Sequence, residues 1–154
     1  MTEGYTADRE SVIEPLNHAL ATEIVRVLRY SHDSHMAVGL HDEPVAREFR
    51  EHAVEERAHA DRIAARIAQL GGDPHFDPEG LKSRGHSEYV AAPSLLDMIR
   101  ENLVAERVAI DSYMGMIRYV GDSDPTTRRM LEDILANEEG DLLAALDPAE
   151  KHAS

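Results

Sequence analysis

Acidic residues recur at positions where a helical sequence would otherwise bury only apolar side chains. At spacings of three and four, one stretch presents Leu16, Leu20, Glu23, Val27 and Tyr30, and a second presents Phe49, His52, Glu56, His59, Ile63, Ile67 and Leu70. A third gives Ile99, Leu103, Glu106, Ile110, Tyr113, Ile117 and Val120, and a fourth gives Leu131, Ile134, Glu138, Asp141 and Ala145. One glutamate on a helix seam is usually explained by a salt bridge or a bundle end; the same interruption on all four stretches asks for a shared cause. Carboxylates buried together repel one another and lose their hydration, so a positive partner is required. Each interruption falls near the middle of its stretch, and at about 1.5 Å rise per residue the four levels coincide when the helices pack. Oxygen-rich ligands with one or two imidazoles suit iron or manganese, and carboxylates can bridge a pair of ions. The expected chemistry is that of a two-metal centre. Glu23 and Glu106 are single donors, whereas Glu56 with His59 and Glu138 with Asp141 are pairs three residues apart, which point the same way from successive turns.

The elements that must hold these residues are four long helices, with no strand signal. Ser11 followed by Glu14 reads as a capping box, with Pro15 in the first turn, and the first helix is expected to run to about Met36 or Val38 before Gly39. Asp42 with Pro44 opens the second helix, which stops at Gly71 and Gly72. Ser94 with Asp97 opens the third, ended by Gly121; Asp124 and Pro125 open the fourth, expected to last to about Leu146 before Asp147 and Pro148. The links between the first and second helices and between the third and fourth are short and predict antiparallel pairs. The segment from Gly71 to Pro93 is long enough to carry the chain the length of a bundle. The expected order is up, down, long crossover, then up, down.

With 154 residues the chain suits one domain, spanning 1–154 with a bundle over about 11–146, a crossover over about 71–93 and short flexible tails. The absence of cysteine excludes a disulfide frame, a zinc knuckle, an iron–sulfur cluster and a thiol nucleophile, so any metal must sit on Glu, Asp or His. A net charge of -14, from 16 Lys and Arg against 30 Asp and Glu, repels nucleic acid and anionic lipid and attracts cations. No apolar run is long enough for a membrane span or a secretory leader, and a cytoplasmic location is expected.

Four sequence stretches carry a family resemblance: LNHALATE through Tyr30, EERAHADRIAARIAQLGGDP, ENLVAERVAIDSY and DILANEEGD. In order and spacing they resemble the helices of a bacterioferritin-type member of the ferritin-like superfamily, over roughly residues 10 to 146. The resemblance implies an all-α, ferritin-like four-helix bundle with a long crossover between its second and third helices. It also implies a di-iron carboxylate centre within each subunit, built from one Glu on each of two helices and a Glu-x-x-His on each of the others. Carried over by position, Glu23 and Glu106 would be terminal ligands, Glu56 and Glu138 bridging ligands, and His59 the imidazole of one iron. Tyr30 matches a tyrosine near that centre, with an electron-donating or hydrogen-bonding catalytic role; its other reading is an ordinary core tyrosine. Two departures stand out. Asp141 occupies the place of the second histidine, a shorter, charged and harder ligand that puts the second iron position in question. Arg57 stands where haem-binding members have methionine, so no haem is expected by that route.

The implied activity is that of a ferroxidase in iron storage and detoxification: two Fe(II) ions per subunit, with manganese as the other candidate, are oxidised by O2 or H2O2 and the Fe(III) is stored. Storage implies a homo-oligomer forming a hollow shell, with no nucleic-acid or membrane partner. His52, with Glu51 and Glu55, is a candidate transit or nucleation site. His32, His35 and His41 are expected in a solvated turn, and His75, His86 and His152 in loop or tail. Three rivals remain: an assembly protein with a structural or degenerate metal site, of which Asp141 would be the mark; a DNA-protecting mini-ferritin, disfavoured by Glu3, Asp8 and Glu10 against only Arg9; and a rubrerythrin-like peroxidase, whose cysteine-rich iron domain this chain cannot supply.

Overall fold

In the computed structural model, the backbone is described for residues 7–85 and 94–153, and side chains through residue 143. Four long helices and one single turn follow in order: α1 Arg9–Gly39, α2 Glu43–Gln69, α3 Leu81–Arg84, α4 Leu95–Val120 and α5 Pro125–Ala153. The described residues contain no strand.

Most helix ends form where their local chemistry places them. The Asp42 carboxylate accepts from the Val45 amide at 3.2 Å, and the Ser94 hydroxyl oxygen accepts from the Asp97 amide at 3.1 Å. After α2, Gly71 takes φ +83°, a left-handed conformation in which a glycine has no Cβ to clash. At the start of α5, Asp124 accepts from the Thr127 amide at 3.1 Å and is paired with Arg66 at 2.9 Å, which fastens the end of α2 to the start of α5.

Three expectations need correction. The Ser11 capping box does not form: α1 starts three residues earlier with Asp8 at its N-cap, and the Ser11 hydroxyl donates to the Asp8 carbonyl at 2.7 Å. The last helix does not stop at Leu146 but continues through Pro148 to Ala153. A proline removes one backbone bond and bends a helix without necessarily ending it. The third correction concerns direction. Glu23 faces Tyr113, Tyr30 faces Glu106 and Asp33 faces Asn102, so α4 runs antiparallel to α1. The order is therefore up, down, crossover, down, up.

The crossover produces this order by climbing along α1. Asn17 donates to the Asp73 carbonyl at 3.1 Å and accepts from the His75 amide at 2.9 Å; further up, α3 packs on α1. Gly85 then crosses so close that a Cβ there would lie 3.0 Å from the Thr22 amide nitrogen, which explains the glycine.

The core is divided into two apolar clusters. One, at the end where α1 and α5 begin, gathers Leu16, Leu20, Ile63, Ile67, Leu131 and Ile134. The other, where α2 and α4 begin, gathers Val45, Phe49, Met98, Ile99 and Leu103 against Tyr30. Between them lies a layer of buried charge: Glu23, Arg26, Glu56, Glu106 and Glu138 are all 0% exposed.

Candidate metal centre

The anticipated ligands converge because each sits on the inward stripe of its helix, level with the others. Glu23, Glu56, His59 and Glu138 offer ligand atoms within 4.8 Å of one another, and so do Glu56, Glu106, Glu138 and Asp141. Glu56 and Glu138 belong to both groups, the placement required of carboxylates that reach two ions. His59 Nδ1 lies 3.2 Å from Glu138 Oε1 and 3.3 Å from Glu56 Oε2. The half-buried Asp141 faces inward, with Oδ2 3.6 Å from His52 Nδ1.

Sequence reasoning missed the residue at the centre. It assigned Val27 to the seam of α1, but Val27 is only partly buried and Arg26 points into the layer instead. Arg26 Nη1 lies 3.3 Å from Glu23 Oε1, 3.0 Å from Glu56 Oε2 and 2.8 Å from Glu138 Oε1, while Nη2 lies 2.6 Å from Glu106 Oε1. The guanidinium thus supplies from the chain itself part of the positive charge that the carboxylates demand. The signal was present, since residue 26 stands three after Glu23 and four before Tyr30, a spacing as inward as that of Val27.

Two tyrosines complete the layer. The Tyr30 hydroxyl donates to Glu106 Oε1 and the Tyr113 hydroxyl to Glu23 Oε1, each at 2.6 Å. Tyr30 also stacks on the His52 ring, with centroids 5.1 Å apart. Tyr113 was legible as a seam residue, but its bond to a candidate ligand was not.

The electrostatics divide the carboxylates into two kinds. Burial pushes Glu138 upward, but Arg26 and the bonds from His59 outweigh it and hold it well below the ordinary carboxylate range. Glu23 is lowered in the same way by Arg26 and its hydrogen bonds. Burial wins at the other two: Glu56 is raised well above its ordinary value, and Glu106 is raised to about 8 despite Arg26. Burial alone would lower the His59 imidazole, yet the surrounding carboxylates of Glu138, Glu23 and Glu56 lift it to about 12. One guanidinium therefore does not neutralise the layer, which also holds protons.

Unmet bonding capacity tests whether the residues fit metal ions. Glu23 Oε2, Glu56 Oε1, Glu106 Oε2, Asp141 Oδ2 and His52 Nδ1 are buried polar atoms without a hydrogen-bond partner. Such atoms are expensive unless something else binds them. All are hard oxygen or imidazole donors, the set suited to Fe(II) or Mn(II). The donor set fits a divalent metal pair.

The remaining histidines contribute little. His35 and His41 are exposed at the end of α1, His32 is partly buried beside Asp33, and His75 is exposed in the crossover. His86 and the side chain of His152 lie outside the described residues. Arg57 is exposed and pairs with Asp61 at 3.9 Å. Among the described residues no helix is long and apolar enough to cross a membrane.

Comparison with known proteins agrees with this architecture. The family model Ferritin, a ferritin-like domain, matches residues 13–145. The bacterioferritin of Desulfovibrio desulfuricans is 28% identical over 141 residues, covering 90% of this chain and 75% of that protein. The DNA protection during starvation protein of Pyrococcus furiosus is 28% identical over 134 residues, covering 85% and 72%. Among solved structures, a dodecameric thioferritin, the bacterioferritin-related protein of Bacteroides fragilis, superposes with a TM-score of 0.89 at 31% identity, covering 96% of this chain and 89% of that one. The D. desulfuricans bacterioferritin, whose structure describes a diiron site in different catalytic states, superposes at 0.83 with 22% identity, covering 92% and 80%.

Proposed function

The chain belongs to the ferritin-like domain family, and on that premise we propose that it stores and detoxifies iron by oxidising Fe(II) to Fe(III) at a di-metal carboxylate centre within each subunit. Fe(II) is the substrate, and O2 or H2O2 takes up its electrons. The observation that supports this reading is the closed layer of four fully buried glutamates and His59, with unpartnered oxygens, between two apolar clusters. Such a layer gains little as a structural device, because apolar residues of similar volume would pack as well without the desolvation cost.

The chain's own groups set the conditions of the reaction. Glu56 and Glu138, which belong to both ligand groups, would hold both ions, with Glu23 and Glu106 beside them and His59 as an imidazole donor. Protons held on Glu106 and His59 would leave as cations entered, offsetting part of the added charge within a water-poor core. Tyr30 and Tyr113 fix the orientation of Glu106 and Glu23 through their hydroxyls. The apolar clusters on either side limit the access of bulk water.

Storage needs a cavity that one bundle lacks, so the working form in this reading is a hollow homo-oligomer. The large apolar residues on outer faces, among them Val54 at 70% and Leu143 at 69% exposed, are available to contacts between copies. A second reading, a ferritin-like assembly protein with little turnover, draws support from Arg26, because a built-in guanidinium partly balances the layer without metal. Oxygen consumption after anaerobic loading with Fe(II) separates the two. Oxidation faster than in buffer, lost in Glu56→Ala while helical content is kept, is the outcome expected of the enzyme; two bound metals with no acceleration leaves only the assembly protein.

A further inference from the structure

Asp141 stands three residues after Glu138, where the Glu-x-x-His pattern of such bundles would place a second imidazole. The structure offers a replacement from the neighbouring helix. His52 on α2 is 7% exposed and lies one helical turn from Glu56, and His52, Glu106 and Asp141 offer ligand atoms within 4.8 Å of one another. Each of the three carries a buried atom without a hydrogen bond: Glu106 Oε2, and His52 Nδ1 and Asp141 Oδ2, which face each other at 3.6 Å. Two ligands at about 2.1 Å from one ion lie at most about 4.2 Å apart, so side-chain shifts of a few tenths of an ångström gather them around a cation.

The ring is also held in place for the task. It stacks on Tyr30 with planes 19° apart, and its Nε2 lies 3.8 Å from Glu48 on the outer side, which leaves Nδ1 directed inward. Charge leads to the same conclusion. Four carboxylates balance two divalent ions when both histidines are neutral; here Asp141 adds a negative charge and Arg26 a positive one, so the balance is restored.

We propose that His52, Glu106 and Asp141 form the second metal position, with His52 supplying from α2 the imidazole that α5 lacks. This rests on the di-metal reading above and assigns one of its two positions. Glu56 and Glu138 then connect it to the first position at Glu23 and His59.

The test uses Co(II) as probe on the full chain under anaerobic conditions, followed by calorimetry and by proton NMR of paramagnetically shifted imidazole N–H signals. The wild-type chain is expected to bind two Co(II) per subunit and to show two shifted imidazole signals. His52→Leu should keep the first equivalent, weaken the second by about tenfold or more and lose one imidazole signal. His52→Gln, which preserves size and polarity, should behave alike and guards against misfolding. The double exchange His52→Leu with Asp141→His returns the imidazole to α5 and should restore both the second equivalent and the second signal. Two equivalents of unchanged affinity in both single variants, or no rescue by the double exchange, would overturn the assignment and leave the di-metal reading standing. A wild-type chain that binds no Co(II) would instead remove the di-metal reading itself.

Discussion

Arg26 and Glu138 meet in a two-point ion pair, Nη1 to Oε1 at 2.8 Å and Nη2 to Oε2 at 2.9 Å, with both side chains fully buried. This forked geometry is the strong form of an arginine–carboxylate contact. It joins α1 to α5 across the diagonal of the bundle and occupies both oxygens of a residue that the proposed metal-loaded form would need as a ligand. In that reading Arg26 and an entering cation would compete for the same acceptor.

Replacing Arg26 by methionine removes one of these competitors and leaves the glutamates uncompensated. In the presence of a chelator, Arg26→Met is expected to lose roughly 3 to 5 kcal/mol of stability, the usual result of orphaning one side of a buried ion pair. Saturating Mn(II) should return most of that loss, because the ion replaces the missing charge. Thermal unfolding with chelator and with Mn(II) measures both quantities, and equal losses in the two conditions would deny the competition.

Metal loading should strengthen as pH rises. Burial raises Glu106 to about 8, and the carboxylates around His59 lift it to about 12, so both are protonated in the metal-free chain at neutral pH. A raised value means that the free form holds the proton and the cation must expel it, so affinity climbs as pH increases from about 6 to 8. Calorimetry in buffers of different ionisation enthalpy should register net proton release; an affinity independent of pH would contradict this picture.

Tyr30 and Tyr113 make the same kind of bond to different ligands, which allows a controlled comparison. Each Tyr→Phe change removes one hydrogen bond to a carboxyl group, worth about 1.5 to 3 kcal/mol for Tyr113 on the ionised Glu23 and about 0.5 to 1.5 kcal/mol for Tyr30 on the protonated Glu106. Tyr30→Phe is expected to slow Fe(II) oxidation while the count of bound metals stays at the wild-type value, because Tyr30 adjoins both Glu106 and His52. Tyr113→Phe should chiefly weaken the position at Glu23. Stopped-flow oxidation paired with equilibrium titration distinguishes rate from occupancy; identical profiles for the two variants would remove any special role for Tyr30.

Assembly can be read from mass. Size exclusion with light scattering is expected to give a large closed homo-oligomer, and electron microscopy of iron-loaded material should show a dense centre inside a protein ring. A monomer or dimer at working concentration would be incompatible with storage inside a shell.

Much of this centre could be read from spacing alone. Glu23, Glu56, His59, Glu106 and Glu138 stood out because a carboxylate or imidazole on an apolar stripe is conspicuous, and all five reach the same layer. Arg26 escaped because periodicity at three and four admits two neighbouring positions, and the apolar Val27 was the natural choice for a core. Only the carboxylates that α2, α4 and α5 bring to face it select the guanidinium. His52 was recognised as inward but assigned to a peripheral role, since nothing in one sequence says that α5 brings Asp141 to face it. The direction of α4 was hidden for a similar reason: the length of a crossover limits where it can reach, but contacts such as Tyr30 with Glu106 decide where it arrives.

The division of the core into two apolar clusters, with the charged layer between them, has a mechanical effect. One cluster draws on all four long helices and the other on α1, α2 and α4 with Leu142 of α5 packed against it, so filling and emptying the waist would alter the charge there while both ends stay clasped. In the proposed storage role, a bundle made in this manner would take up and release cargo without taking its frame apart, as a container must if it is to be drawn upon more than once.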